Sequence, residues 1–591
     1  MKSKRLLLGV ALLAVTLLAA WFLLLGSGMW EGAASGRVKS VPAGHQEVAW
    51  IAPATGSDSW ERLVASLNVL VAEWEKQHGG PTFTLDLTNA FLHTTASIPE
   101  IGLRFGGPEQ TLWIRWYKLS GENTPATWID RLAARDTPPL AIIGGESTDR
   151  ALAIAKALEA ARPRWKGAAP LFLITTATAH RISPGEDRSH AVPPREWPLL
   201  MNVYRGRSFR YSFTNTRMVE ALFDFLQENP HVCPARSSDP AQFAGMVAQG
   251  DPLGCLATLS ATGHTQPWFL FGVSWMDDGY SRDMVSIALH QFREQMVNSE
   301  LGFFDETQVP YSAGGYQQVN ASEARAVGAL IASGSVRENS NFILVLPTGA
   351  QRVRRFVADF ARQAPLETRR FVVVSGDSVS FNTVFRDRDT AWNILDVQTP
   401  LVFFTHRLPT SKAAGFHWQA TDKEPGARSG TEDLLLDRDI MESLLLAAFD
   451  GGKLLSDADQ VARRLRRSVW LKGRIHKHPE GADEGIPLFT EEGDRSSGTG
   501  EHIVWVQPLF DKGGRILQRA NISIWGVNAK DIHRWFIRPE IAPPLSVSYN
   551  DTGKVLVYHR FEDWFRFSTV HRELLLDPNE MREKGVEELH D

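Results

Sequence analysis

The stretch "LAIIGGESTDRALAIAKAL", Leu140 to Leu158, decides how the rest of the chain is read. An apolar run, two glycines, a polar tip and then apolar residues spaced three and four apart describe a strand turning tightly into a helix. The turn carries neither G-x-G-x-x-G nor G-x-x-x-x-G-K-[ST], and no lysine stands at its tip, so both nucleotide fingerprints are unmet. What remains is Ser147 and Thr148 beside the backbone N–H groups of a helix start. Such groups, together with the helix dipole, suit a small carboxylate or another polar group. The plainer alternative is that Ser147 or Thr148 serves only as the helix cap.

The same alternation runs outward from this unit. Strands are expected at Glu47 to Ala52, Thr82 to Leu87, Thr111 to Tyr117 and Ala169 to Thr175, with helices at Trp60 to Glu75 and Pro125 to Ala134. After two stretches rich in turn residues, Pro184 to Ser208 and Arg236 to Gln266, with a helix expected between them at Thr214 to Glu228, the pattern restarts. Trp268 to Ser274, Asn341 to Pro347, Arg370 to Gly376 and Pro400 to His406 read as strands, and Ser281 to Val297 and Ala350 to Arg362 as helices. Strands alternating with helices of this length imply two similar α/β halves, each with a mainly parallel sheet covered on both faces. The boundary falls near residues 210 to 268. Further on, helices are expected at Glu432 to Phe449 and Asp457 to Arg467, and Lys472 to Gly500 reads as a surface excursion. Residues 501–527 and 544–561 read as hairpins turning at Asp511 to Gly514 and Asn550 to Gly553.

The start of the chain is a separate matter. Leu6 to Leu25 holds no charge and follows Lys2, Lys4 and Arg5. That length crosses the hydrocarbon layer of a bilayer, and the basic flank stays in the cytoplasm, which exports the remainder. An uncleaved single-pass anchor is the preferred reading and a cleaved signal peptide its rival. No cysteine follows closely enough for a lipoprotein anchor. The chain has two cysteines, Cys233 and Cys255, which in an oxidising compartment would close a loop worth about 3 kcal/mol. A pair of free buried thiols is the alternative.

Composition removes other classes. A net charge of -5 over 591 residues carries no polyanion-binding signature, so nucleic acid is not an expected partner. There is no H-E-x-x-H, the histidines of "GHTQP", "HVCP" and "RIHKHPEG" lack metal-ligand spacing, and no G-x-S-x-G elbow occurs. No enzyme, cofactor or metal is expected. Open α/β sheets receive ligands at the carboxyl edge of their strands. The residues at those edges are Ser147, Thr148, Thr176 and Thr178 in the first half and Tyr280 and Asp377 in the second, with Trp60 after the first strand as an aromatic wall.

The order of these segments resembles type I periplasmic binding proteins, specifically the branched-chain amino-acid or amide receptor family. "VAWIAPATGSDSWERLVASLNVLVAEW" looks like the family's first strand, ligand loop and helix. "LAIIGGESTDRALAIAKAL" and "PLFLITTATAH" are similar to its hydroxyl-rich ligand loops. "WFLFGVSWMDDGYSRDMVSIALHQF", "NFILVLPTGAQRVRRFVADFARQ", "RFVVVSGDSVSFN" and "TPLVFFTHRLP" resemble the second lobe, and "FTEEGDRSSGTGEHIVWVQPLFDKGG" the closing hairpin region. The resemblance implies a two-lobed, non-catalytic binder. Ser147, Thr148, Thr176 and Thr178 would meet a ligand carboxylate, Tyr280 and Asp377 its amino end, and Trp60 would pack on it. Glu146 departs from this picture: its charge opposes an anion unless Arg150 or Arg181 pairs with it.

The resulting expectation is a membrane-anchored extracytoplasmic receptor for an amino acid, amide or other small polar ligand, working with a membrane permease or a sensor. The alternative is a scaffold that keeps the fold without its ligand. The expected divisions are 1–30 anchor or signal-like segment, 31–46 linker, 47–210 N-terminal lobe and 211–267 enlarged interlobe region. Residues 268–400 form the C-terminal lobe, 401–530 the crossover strand, helices and closing hairpin, and 531–591 a C-terminal extension.

Overall fold

The computed structural model describes residues 38–78, 83–92, 94–106, 109–182, 196–228, 268–275, 279–295, 304–309, 341–348, 353, 371–379, 400–407, 431–450, 452–471, 474–477, 485–510, 516–526, 534–537 and 586–589. The apolar run 6–25, Cys233, Cys255 and the hairpin expected at 544–561 lie outside the described residues, as does all but Val353 of the helix expected at Ala350 to Arg362. Among the described residues no helix is long and apolar enough to cross a membrane.

The first lobe is built on β1 (Gln46–Pro53), α1 (Ser57–His78), β2 (Phe83–Asp86), β3 (Glu100–Phe105), β4 (Thr111–Leu119), α2 (Pro125–Ala133), β5 (Ala141–Gly144), α3 (Thr148–Ala161), β6 (Leu171–Ile174) and β7 (Ser208–Arg210). Its sheet runs β2-β3-β4-β1-β5-β6-β7, parallel from β4 to β7, with β2 and β3 added antiparallel at one edge. The chain leaves β1 towards β4 on one side and returns to β5 on the other. The switch in strand order, where the carboxyl ends of adjacent strands diverge, therefore lies between β1 and β5. β1 is buried on both faces, as a central parallel strand must be. Its one charged residue, Glu47, is met by Arg115 Nη1 at 2.7 Å, Arg135 Nη1 at 2.9 Å and the Tyr117 hydroxyl at 2.8 Å.

The second lobe starts with α4 (Asn215–Glu228), β8 (Trp268–Trp275), α5 (Gly279–Gln295), β9 (Phe304–Val309), β10 (Asn341–Val345), β11 (Phe371–Val374) and β12 (Leu401–Thr405). The chain then returns to the first lobe through α6 (Thr431–Ala448), β13 (Phe449–Asp450), β14 (Lys453–Leu454), α7 (Ala458–Leu465), β15 (Ser468–Leu471), β16 (Arg474–Lys477) and β17 (Ile486–Pro487). β18 (His502–Phe510), β19 (Ile516–Gly526), β20 (Arg534–Ile537) and β21 (Val586–Leu589) go back to the second sheet. That sheet runs β21-β20-β19-β18-β12-β11-β10-β8-β9, parallel from β9 to β12 and antiparallel beyond.

Separate cores establish the lobes physically, the first lobe having one on each face of its sheet. Leu63, Leu67 and Leu70 of α1 pack with Trp50, Leu103 and Ile114 of the first sheet and with Ile440, Met441, Leu444 and Leu445 of α6. Phe213, Met218 and Leu222 pack instead with Met284, Val345, Val374 and Phe404 of the second. Among the described residues the chain therefore passes between lobes three times: at 211–214, between β12 and α6, and between β17 and β18.

One carboxylate joins all three passages. Asp439 of α6, 1% exposed, is contacted by Arg407 Nε from the second passage and Arg495 Nη2 from the third, each at 3.1 Å. Arg495 Nη1 also donates to the Tyr211 carbonyl of the first at 3.0 Å. Trp470 stacks against both guanidinium groups, 4.3 Å from Arg407 and 5.3 Å from Arg495.

Several boundaries differ from the sequence expectation. The helix expected at Thr214 to Glu228 is present as Asn215–Glu228, but it packs into the second core, so the second lobe begins inside the 211–267 segment expected to lie between the lobes. The strands β3, β7 and β9 were not anticipated. The described parts of Lys472 to Gly500 are no surface excursion: Ile475, Leu488 and Phe489 reach the first core, and Arg495 and Thr499 are buried. Residues 534–537 and 586–589 extend the second sheet rather than standing outside it. The hairpin expected at 501–527 is present, with His502 opposite Gly526.

Removing Asp439 would leave two buried guanidinium groups without their shared anion. Asp439→Ala is expected to lower unfolding free energy by about 3–5 kcal/mol in urea titrations. A second expectation concerns pH. Burial pushes the His502 imidazole down to about 4 from its ordinary 6.5, the Gly500 carbonyl and then Arg407 being the lesser influences. The unfolded chain thus takes the proton first: this contribution is full above pH 6.5 and is lost as pH falls towards 4. Stability measured across that window should fall more steeply in the wild type than in His502→Gln.

Candidate functional site

The Gly144–Gly145 pair of the turn after β5 is explained by packing rather than by phosphate. Gly145 has φ +81°, and a Cβ there would lie 2.9 Å from the Ala151 Cβ. The tight turn lets α3 press its first apolar residue against the strand end. Ser147 then takes extended geometry as the N-cap, its Oγ accepting from the Arg150 N–H at 3.5 Å, the long limit of such a bond. Both sequence readings of this turn are therefore compatible: Ser147 caps the helix, yet it stays exposed at the edge of the sheet.

Glu146 is paired as one of the two expected routes requires. Arg150 Nη1 donates to Glu146 Oε2 at 2.9 Å, while Arg181 turns away to the Trp197 carbonyl. Burial raises the Glu146 carboxyl above the ordinary value, against the opposing pull of Arg150 and Arg62. Thr176 Oγ donates to the Glu146 carbonyl at 3.0 Å, which ties the loop after β6 to the loop after β5. Thr178 is buried, and its carbonyl accepts from Arg210 Nη1 at 3.2 Å and from the Asn215 N–H at 2.8 Å.

In the second lobe Tyr280 lies in the first turn of α5, and its hydroxyl is 3.4 Å from both the Ser375 carbonyl and Ser378 Oγ. Gly376, at φ +70°, makes this approach possible, since a Cβ there would collide with the Tyr280 hydroxyl. Asp377 is next in the chain. Its Oδ2 is 2.9 Å from His406 Nε2, and the Phe213 N–H donates to His406 Nδ1 at 3.1 Å. An Nδ1 that accepts leaves the ring proton on Nε2, directed at Asp377. One oxygen of the expected ammonium acceptor is thus already engaged.

The two edges face one another. A Cβ built on Gly279 would lie 3.7 Å from Thr148 Cγ2 and 3.7 Å from Asp149 Oδ1. Asn215 Nδ2 donates to the Tyr280 carbonyl at 3.2 Å. Among the described residues, four polar atoms buried in this neighbourhood have no hydrogen-bond partner: Glu146 Oε1, Thr148 Oγ, Asn215 Oδ1 and Ser375 Oγ. Buried polar atoms of native proteins are nearly always satisfied, by protein, by water or by a ligand.

Six of the seven expected ligand residues therefore stand on the facing edges. Trp60 is the correction. It is 2% exposed, its Nε1 donates to the Ala90 carbonyl at 2.6 Å, and it packs in a three-ring cluster with Trp50 and Trp116. Its place on the inward face of α1 makes it core, not a ligand wall. The sequence reading missed His406, Asn215, Asp283 and Arg62. Arg62 Nε contacts Asp437 at 2.7 Å and Nη1 contacts Asp433 at 3.2 Å, across to α6. His406 had a signal, being the first residue past the carboxyl end of a buried strand.

No family model matches the sequence, and no curated protein matches it. The chain is similar in structure to solved substrate-binding proteins. An ABC transporter substrate-binding protein from Desulfitobacterium hafniense, complexed with Leu, has 13% identity and a TM-score of 0.42, covering 80% of this chain and 99% of that one. A leucine-, isoleucine-, valine-, threonine- and alanine-binding protein from Brucella ovis, in its closed conformation, has 13% identity and a TM-score of 0.44, over 80% and 93%. A solute-binding protein from R. palustris, in complex with 4-hydroxybenzoate, has 12% identity and a TM-score of 0.43, over 80% and 95%.

Gly145→Ala is expected to cost about 1–3 kcal/mol, because a side chain must occupy a left-handed backbone and collide with Ala151. Thermal unfolding checks the cost. Hydrogen exchange should rise first in the peptide spanning 144–151.

Proposed function

We propose that this chain is a non-catalytic receptor that closes two lobes around a small polar ligand. The observation that carries the reading is the set of unpartnered buried atoms on the facing edges, two from the first lobe's β5 turn and one each from Asn215 and Ser375. Leaving a buried hydroxyl or carboxylate oxygen unpaired costs about 1–3 kcal/mol each, so four in one neighbourhood suit a site that a polar molecule completes. Strand-order switches in both sheets favour the same place, since ligands of open α/β sheets bind beyond the carboxyl ends of the strands.

In this reading Ser147 and Thr148 offer donors from the first lobe, Thr176 ties the loops after β5 and β6 together through the Glu146 carbonyl, and Thr178 shapes the second of these loops through its own carbonyl. Tyr280 and Asp377 act from the second lobe, with His406 fixing the Asp377 carboxylate. The apolar run at residues 6–25 supports a single-pass anchor with the lobes outside the cytoplasm, where the receptor would deliver its ligand to a permease or a sensor. Amino acids, amides and short polar acids are the classes to test, and a carboxylate has Glu146 against it.

The test is a thermal-shift screen of the full chain against amino acids, their amides and short-chain carboxylates. A ligand that binds the native state at a hundred times its Kd adds about 2.7 kcal/mol and raises the melting temperature. The expected result is a hit that weakens at least tenfold in Asp377→Ala. Absence of any hit across the three classes would sink the receptor reading in favour of a scaffold.

A further inference from the structure

A residue outside the proposed ligand set makes three polar contacts, two of them between the lobes and one within the second. Asp283 lies one turn into α5 and is 2% exposed. Its Oδ2 accepts the His180 N–H at 2.8 Å and Asn215 Nδ2 at 2.9 Å, and its Oδ1 accepts the Arg181 N–H at 3.3 Å. His180 and Arg181 belong to the loop that follows β6 in the first lobe, and Asp283 belongs to the second. We propose that Asp283 is an internal latch, a carboxylate of the second lobe that takes up backbone N–H groups of the first and holds the lobes closed with no ligand between them.

The chemistry is that of an anion received by a pair of backbone amides. Here the anion is supplied by the chain itself. Burial pushes the Asp283 carboxyl up to about 6, and the His180 N–H, Asn215, the Arg181 N–H and Arg210 oppose that rise by favouring the anion. Arg210, which is fully buried, donates to the Thr178 and Ala179 carbonyls, and its charge acts on Asp283. Arg181 donates to Asp283 through its backbone, while its guanidinium holds the Trp197 carbonyl. His180 is held by Thr216 at 2.8 Å, so the loop presenting the two N–H groups is fixed from the second lobe as well. Asn215 contributes through the same amide to Asp283 and to the Tyr280 carbonyl, which sets the first turn of α5 against the passage between lobes. None of this depends on a ligand, so the latch stands or falls apart from the receptor reading.

The test is hydrogen–deuterium exchange on the full chain in detergent micelles, without ligand, comparing the wild type with Asp283→Asn and Asn215→Ala. Asp283→Asn keeps the side-chain volume but replaces one accepting oxygen with a donor that opposes the Arg181 or His180 N–H. Exchange in peptides spanning 176–182 and 279–285 should rise about tenfold, with peptides from β1 and β10 unchanged. Asn215→Ala should give a smaller rise at the same two places. Unchanged exchange at 176–182 in a folded Asp283→Asn protein would overturn the latch. A rise spread evenly over both sheets in both variants would also overturn it, since that marks a residue needed for folding rather than for closure.

Discussion

Two lobes joined by three passages of chain need something to fix the passages against each other, and that task falls to the Asp439 carboxylate. Placing a charge where only 1% of the residue meets solvent is costly unless it is paired, and Asp439 is paired twice. The pairing residues come from different passages, and Arg495 extends the network to the Tyr211 carbonyl. Trp470 covers both guanidinium groups, which keeps water out of the cluster. Apolar packing alone would hold each lobe together but would leave their junction free to slide. A buried ion cluster with directional bonds gives that junction one geometry.

The facing edges inherit their positions from this junction. Phe213 sits in the first passage and donates to His406 at the start of the second, and His406 in turn orients Asp377. Thr178 accepts from Arg210 and from the Asn215 N–H, so the loop after β6 is held by the residues that begin the first passage. The Asp377 carboxylate and the loop after β6 are thus tied to the hinge through one or two hydrogen bonds each. A change at the hinge would be felt at the cleft without any long chain of contacts.

Much of this was legible in the sequence because parallel strands buried on both faces announce themselves as apolar runs. "LAIIGG", "LFLIT" and "VVVSG" could hardly be read otherwise, and the 501–527 hairpin was given by its alternation and its Asp-Lys-Gly-Gly turn. Three of the strands that are not legible lack that signature. β7 has three residues, β9 reads "FDETQV", and β3 is an edge-side strand interrupted by Gly102 and Arg104. Trp60 was misplaced because a tryptophan just past a strand end fits a ligand wall and a core equally well, and only the facing of α1 decides. "EEGDRSSGTG" looks like solvent-exposed turn, yet its arginine is the one that closes the ion cluster. Pairings such as Asp439 with Arg495 or Asp283 with His180 join residues 56 and 103 positions apart. No local pattern marks such partners.

Closure by Asp283 alters what a ligand would have to do. In a binder that is open when empty, part of the ligand's interaction energy goes into closing the lobes, and its apparent affinity falls by the fraction of closed molecules. A chain already latched has removed that cost. It gives up something in return, because the ligand must enter while the latch is undone, so entry becomes slow as affinity rises. The unpartnered Thr148, Asn215 and Ser375 atoms show that the latch leaves these polar groups of the two edges unsatisfied. Asn215 shows the division within one side chain: its amide nitrogen serves the latch, and its oxygen remains for whatever enters.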